Sequence, residues 1–407
     1  MKKLKKKILI VTPHFYPENF IINDFVKKLS KKFNFFVITS FPHYPNKNYF
    51  KDYGINKIYQ KQNESISILR LPVLGRFNNN KFLLSLNYLS YLISFLIFLP
   101  IILFVNFNSI FVFQTSPITV AIPGIILKYF KKKKIYLWVL DVWPEVITSV
   151  TSYNKNSFIF KILDSLTKLI YTCCDVILIS SRKFRNNVES KVKKKKIIFF
   201  PQWAVNSKSR KKNRKHLFAK NKNFKIFYIG NMGEAQDLSS VFKTIKLCYQ
   251  KKINVSWHFV GDGSDKKNFQ KKIINNNLQN YVKFYGSVKQ NLLGEYYKNS
   301  DALLLSLKKS KILKLYLPAK LSGYLFHGKP ILVMADGDSY NLVNDFKSGF
   351  VAKSGDYKKL TSNIDILTKL NKRELKKFNL NSISLYNKYF NSKNTLKKIE
   401  KLFDELN

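Results

Sequence analysis

Two blocks of this chain alternate short, uninterrupted apolar runs with amphipathic helical stretches, and that alternation leaves few folds open. Apolar runs of four to six residues suit strands covered on both faces, as in a parallel sheet flanked by helices. The first block holds such runs at 8–12, 35–39, 66–71, 110–114, 135–140, 176–180 and 197–200. The second repeats them at 225–229, 256–260, 282–285, 302–306, 330–334 and 350–352. Between the first two runs, residues 19–31 place Ile21, Phe25 and Leu29 on one helical face. A chain of 407 residues exceeds one ordinary core. The expected architecture is α/β, with one domain at 1–205, a basic polar linker at 206–222 and a second domain at 223–383. A final segment, 384–407, reads as a single amphipathic helix with Tyr386, Phe390, Leu396, Ile399 and Leu402 as its apolar positions.

The formal charge of +48 invites a nucleic-acid reading. Almost all of it is lysine, however, with neither the arginine forks nor the aromatic platforms on which nucleic-acid readers depend. A diffuse lysine field suits an anionic membrane surface better, and no nucleic-acid partner is expected. One segment supports this. From Tyr88 to Val105 the chain carries no charge, and Pro100 lies inside it. A buried helix, a bilayer span and a helix lying in one leaflet all fit that composition. A span would divide the first sheet between two compartments, and Pro100 suits shallow insertion. The helix at 82–105 is therefore read as membrane-facing. Residues 1–7 are basic, but the apolar run at 8–11 is too short for a signal sequence. The expected location is the cytoplasm, with peripheral or monotopic attachment to the inner leaflet of the plasma membrane. Cys173, Cys174 and Cys248 lack metal-ligand spacing and read as buried thiols in a reducing compartment.

In open parallel sheets, ligands bind beyond the carboxyl ends of the strands. Polar clusters fall there repeatedly. The first strand is followed by Pro13-His14-Phe15-Tyr16-Pro17-Glu18, the second by Phe41-Pro42-His43-Tyr44-Pro45-Asn46, and a later one by Asp141-Val142-Trp143-Pro144-Glu145. His14 and His43 sit in proline-flanked loops, poor places for a core residue. In the second block, Gly230-Asn231-Met232-Gly233 separates a strand from a helix, so its amides can approach a phosphate closely. Gly261-Asp262-Gly263 and Gly286-Ser287 occupy equivalent strand ends. His258, inside a strand, reads as a packed residue. Lys320, in Pro318-Ala319-Lys320-Leu321, puts a cation at a helix N-terminus, against the helix dipole. Such a lysine calls for an anion beside it.

The ordered set resembles the bacterial GT-B glycosyltransferases of family 4, and within them the N-acetyl-fucosamine transferases of O-antigen and capsule synthesis. The matching pieces are 13–18, 42–45, Ser116-Pro117, 141–145, Pro201-Gln202-Trp203-Ala204, 230–238 (GNMGEAQDL), 260–263 and 318–330 (PAKLSGYLFHGKP). The resemblance implies two Rossmann-like domains whose sheets face across a cleft, with the final helix crossing back to the first domain. It implies a donor site in the second domain and an acceptor site in the first. Gly230, Asn231, Gly233 and Gln236 would lie at the diphosphate, with Gly261 and Gly263 beside them. Residues 282–288, with Gly286 and Ser287, would border the base. Lys320 would face the phosphates, and Asp141 would contact the donor sugar. Asp141, Glu145 and Lys320 are the catalytic candidates, and His14, Glu18, His43 and Tyr44 the acceptor-side ones. The family's usual arginine and lysine are replaced by Asn231 and Gln236, and its paired glutamates by Leu315 and Gly323. Asp336 and Asp338 are the substitutes at hand.

The implied activity is retaining transfer of an N-acetyl-amino sugar from a nucleotide-diphosphate donor, UDP-linked, to an undecaprenyl-diphosphate saccharide. Neither a metal nor another cofactor is expected. Two rivals remain. A nucleotide-sugar 2-epimerase on the same fold would need converging carboxylates and would turn over donor without acceptor. A non-catalytic basic protein binding membrane or nucleic acid would show no protection by nucleotide diphosphates.

Overall fold

The computed structural model describes residues 5–44, 53–75, 81–150, 156–205 and 223–405. Linker residues 206–222, and Pro45 and Asn46 of the second strand-end cluster, lie outside them. The chain divides into two compact units, Met1–Pro201 with Lys393–Asn407, and Gln202–Ser392.

The first unit is built on eight strands: β1 (Lys7–Val11), β2 (Asn34–Ser40), β3 (Tyr59–Asn63), β4 (Ile66–Leu71), β5 (Ser109–Gln114), β6 (Lys134–Val139), β7 (Val176–Ile179) and β8 (Lys196–Phe199). Their order is β3-β4-β2-β1-β5-β6-β7-β8, parallel throughout except for β3, which runs antiparallel to β4. The direction of travel reverses between β1 and β5, and such a switch point opens a crevice at the carboxyl ends of the strands. The connections β4 to β5, β5 to β6 and β6 to β7 all step the same way. Right-handed crossovers therefore place helices Lys81–Leu103, Ile122–Lys131 and Phe158–Cys173 on one face of the sheet. Helix Ile21–Leu29, from the opposite step, covers the other face, where Phe25 stacks on Phe111 at 4.6 Å between centroids. Trp138 meets Phe200 edge-on at 4.9 Å, and its indole N–H donates to the Phe200 carbonyl at 2.9 Å.

The second unit holds β9 (Phe224–Ile229), β10 (Val255–Val260), β11 (Val282–Phe284), β12 (Ala302–Ser306), β13 (Ile331–Met334) and β14 (Gly349–Ala352). They form an all-parallel sheet ordered β11-β10-β9-β12-β13-β14, with its switch point between β9 and β12.

The end of the chain differs from expectation. Residues 384–407 do not make one helix: Lys372–Tyr389 ends at Phe390, and a second helix runs over Ser392–Asp404. Asn391 and Ser392 are residue types that favour helix starts over interiors. The division of units falls at this break, at residue 393 instead of 384. The last helix returns to the first unit, where Phe403 packs edge-on against Phe33, Phe111 and Tyr136. Its backbone is held by Tyr136 Oη donating to Leu402 O at 3.0 Å and Lys6 Nζ donating to Asp404 O at 2.8 Å. The apolar segment forms a helix of 23 residues, shifted slightly toward the N-terminus of the expected 82–105, and Pro100 lies within it.

Candidate active site

In the second unit, the carboxyl end of β9 leads into Gly230-Asn231-Met232-Gly233, which rests on the loop after β10. Met232 N–H donates to Asp262 O at 2.8 Å, Asp265 N–H to Met232 O at 3.0 Å, and Gly230 N–H to Val260 O at 2.9 Å. Gly261 N–H in turn donates to Gly286 O at 2.8 Å. The two loops meet backbone to backbone. A Cβ on Gly261 would lie 2.0 Å from Gly230 O, and one on Gly263 would lie 2.4 Å from the Met232 carbonyl carbon. Gly261 and Gly263 thus allow the loop after β10 to pack directly against the 230–233 loop. Asn231 is exposed, and its side-chain oxygen lies against Gly263.

Lys320 sits beneath this loop. Helix Ala319–Phe326 starts at Pro318, so Lys320 occupies its first turn, as expected. Tyr324, one turn further, fixes the helix to the sheet: its hydroxyl accepts from Ile229 N–H at 3.0 Å and lies 3.1 Å from Leu304 O. Lys320 Nζ donates to Tyr228 Oη at 2.6 Å and Gln236 Oε1 at 2.5 Å, and stands 4.1 Å from the centre of the Tyr228 ring. Tyr228 Oη makes a short hydrogen bond to Asn231 O, tying the cation to the glycine loop. No carboxylate pairs with Lys320 among the described residues. Burial lowers its pKa from 10.5 to about 7. Gly230 lies next to it: a Cβ there would be 3.6 Å from Nζ.

The remaining donor-side candidates are less converged. Gly286 has a positive φ of 68° with open space where a Cβ would point, and Ser287 is exposed. Tyr285 contacts His258 Nδ1 at 2.8 Å, while His258 Nε2 meets Ser256 Oγ at 3.0 Å and its ring stacks on Phe227. His258 is thus the packed residue expected, and burial, with the charges of Lys283 and Lys225, pushes its pKa down to about 4. Asp336 is half-buried after β13, and Asp338 is buried in the first turn of the next helix. Neither makes a described contact with Lys320.

In the first unit, the four acceptor-side candidates converge. His14 Nδ1 donates to Glu18 Oε2 at 2.8 Å. Glu18 Oε1 accepts the backbone N–H groups of His43 at 2.8 Å and Tyr44 at 2.6 Å. The His14 ring stacks on Phe20 at 4.5 Å and meets the rings of His43 and Tyr44 at 5.1 and 5.6 Å. Burial by itself would raise the Glu18 carboxyl. The hydrogen bond from His14 and the charges of His14 and His43 outweigh it and leave the pKa below 4.5. Glu18 is therefore an ionised staple between the loops after β1 and β2, with both oxygens engaged internally. His14, Glu18 and His43 are also the set, among the described residues, that is able to hold a metal ion, with ligating atoms within 4.8 Å of one another. A small pocket beside them is lined by Ser40, His43, Ser116 and Pro117, and by Asn87, Tyr88 and Tyr91 of the apolar helix.

Asp141 and Glu145 separate. Asp141 Oδ2 accepts from Ser116 Oγ at 2.6 Å, and Ser116 Oγ accepts from Trp143 Nε1 at 3.2 Å, so Asp141 stands at the rim among the loops after β5 and β6. Glu145, the other catalytic candidate of this loop, is buried, with Oε1 2.8 Å from Lys191 Nζ. Lys191 also meets Asp164 at 2.7 Å and is itself buried. The pairing points to a structural part for this triad. Glu145→Gln should lower the unfolding free energy by about 1–3 kcal/mol and leave nucleotide-sugar affinity unchanged. Thermal unfolding and calorimetry check both; a stable variant with weakened binding would return Glu145 to the site.

Tyr228 and Tyr324 are the site residues that sequence reasoning missed. An aromatic inside a buried strand or helix carries no mark distinguishing core packing from a polar task at its hydroxyl.

Comparisons with known proteins bear on the fold and family. Residues 209–382 match the family model for glycosyl transferases group 1. The probable glycosyltransferase WbjE of Pseudomonas aeruginosa is 25% identical over 156 residues, which span 37% of this chain and 38% of that protein. The chain thus spans well under half the length of that relative. Among solved structures, sucrose-phosphate synthase of Thermosynechococcus elongatus superposes with a TM-score of 0.75 at 12% identity, covering 99% of each chain. Anabaena HepE, solved in complex with UDP and glucose, gives 0.69 at 12% identity, covering 99% of this chain and 100% of its own. The chain has the GT-B fold, two Rossmann-like parallel-sheet units, and its second unit carries the match to the group 1 glycosyl transferases.

Proposed function

We propose that this protein is a glycosyltransferase that takes its sugar from a nucleoside diphosphate bound in the second unit. The observation that carries the reading is Lys320: a half-buried cation beside a glycine loop, whose partners Tyr228 and Gln236 are both neutral. A charge partly withdrawn from water without a counter-ion is costly, and a diphosphate over Gly230 supplies one. The same cation then opposes the charge that develops on the leaving phosphate, the largest demand of such a transfer. The complex of HepE with UDP and glucose supports UDP as the carrier, and a surface-polysaccharide product follows from the family resemblance. Retention of configuration and an N-acetyl-amino sugar complete the proposal by resemblance.

On the acceptor side, the loops stapled by Glu18 present His14, His43 and Tyr44 next to a pocket that shares Tyr88 and Tyr91 with the apolar helix. This favours a lipid-linked saccharide met at an anionic membrane, with the enzyme on the cytoplasmic side of the plasma membrane. The test is calorimetric titration with UDP-, GDP- and dTDP-sugars. UDP-sugars should bind with micromolar affinity and raise the melting temperature; binding by none would sink the transferase reading. Turnover of donor without acceptor into an epimer would replace it with the 2-epimerase.

A further inference from the structure

Not one helix but three neighbouring ones in the first unit leave apolar side chains in the open. Along helix Lys81–Leu103 and just past its end, Leu89, Ile93, Leu96, Ile97, Ile101 and Phe104 are exposed, Ile97 by 70% and Phe104 by 87%. Their spacing of three and four residues is that of one helical face. Tyr91, Phe95 and Ile102, on the other face, are buried, so the helix is seated lengthwise. Helix Ile122–Lys131 packs beside it and ends in exposed Tyr129 and Phe130, directly before the lysines at 131–134. Helix Phe158–Cys173 packs against that one in turn, with Tyr129 Oη 3.4 Å from Cys173 Sγ. It exposes Phe158, Ile162 and Leu169, with Lys161 and Lys168 between them.

We propose that these three helices form a single docking surface for an anionic lipid leaflet, which lies flat across the helical layer. The proposal rests on the membrane reading above and extends it from one helix to a face of the unit. Charge complementarity selects the occupant. Apolar tips insert at the acyl boundary, while lysine stems lie along it and hold their ammonium groups among anionic headgroups. A protein partner would not need the lysines that flank the apolar residues of the second and third helices, at 131–134 and at 161 and 168. Asn87, Tyr88 and Tyr91 line the acceptor-side pocket from the same apolar helix, so a lipid-borne headgroup at this surface lies close to that pocket.

The full chain is sedimented with vesicles of 30% phosphatidylglycerol in phosphatidylcholine, and with phosphatidylcholine alone. The parent should bind the anionic vesicles more tightly. Ile97→Glu, Phe130→Glu and Ile162→Glu should each lower partitioning about tenfold with unfolding temperature retained. If Phe130→Glu and Ile162→Glu bind like the parent while Ile97→Glu does not, the composite surface is wrong and the single-helix reading stands. If the parent ignores anionic vesicles, the membrane reading itself falls. Spin labels on cysteines placed at 97, 130 and 162 give an answer independent of charge insertion, since the native cysteines are buried. All three should report lipid contact; a label at 130 or 162 left in water overturns the proposal.

Discussion

Replacing Lys320 with methionine is expected to weaken UDP-sugar binding about thirty- to hundredfold, the scale of losing charge-assisted hydrogen bonds to a phosphate. The unliganded variant should remain folded, because Lys320 has only neutral partners to lose. Its pH behaviour makes the prediction sharper. In the empty site the lysine titrates near 7, below its ordinary 10.5. A diphosphate favours the charged form and raises that pKa, so binding above pH 7 must take up a proton. Donor affinity should therefore fall as pH rises from 7 to 9, approaching tenfold per unit. Calorimetry in two buffers of different ionisation enthalpy measures the uptake directly. Without ligand the sign is opposite: between about 7 and 10.5 the unfolded chain binds more protons, so this residue makes the folded protein more stable as pH rises. An affinity that stays flat from pH 7 to 9, or a methionine variant that binds like the parent, would remove Lys320 from the donor site.

The second large effect is expected at Gly261. Its φ of +133° is rarely adopted by residues with side chains, and a Cβ would stand 2.0 Å from the Gly230 carbonyl oxygen. No flexible side chain is available to move aside; the obstacle is backbone. Gly261→Ala should cost about 3 kcal/mol or more of stability and displace the 230–233 loop, abolishing donor binding. Gly286→Ala is the comparison: its φ is also positive, but a Cβ there meets nothing within 4 Å. It should fold and retain most of its affinity. Denaturant unfolding and UDP titration of both variants decide the matter; a Gly261→Ala protein as stable as its parent would show that the two loops do not depend on this approach.

Much of the fold was legible because parallel strands covered by helices must be apolar throughout. Each of the expected runs became a strand. The strand that escaped notice, β3, has the sequence Tyr59-Gln60-Lys61-Gln62-Asn63 and lies largely exposed at the sheet edge, where no apolar pattern is required. The helix break near residue 390 was hidden because apolar spacing continues across it: Phe390 and Leu396 are both buried although they belong to different turns of chain. In the candidate site, Lys320 stood out because a cation at a helix N-terminus violates a local preference, and the His14–Glu18–His43 group because prolines bracket its histidines. The pairing of Glu145 was not legible because its partner, Lys191, lies 46 residues further along the chain, beyond the reach of any local pattern.

The return of Lys393–Asn407 to the first unit bears on how such a protein can be recombined. Because Phe403 completes an aromatic cluster with Phe33, Phe111 and Tyr136, the first unit is written in two separated stretches of the gene, and the second unit is written between them. A chimera that exchanges the second unit therefore has to be made as an insertion, with 202–392 exchanged as a cassette between two retained ends. A simple head-to-tail fusion would strand the terminal helix with the wrong partner.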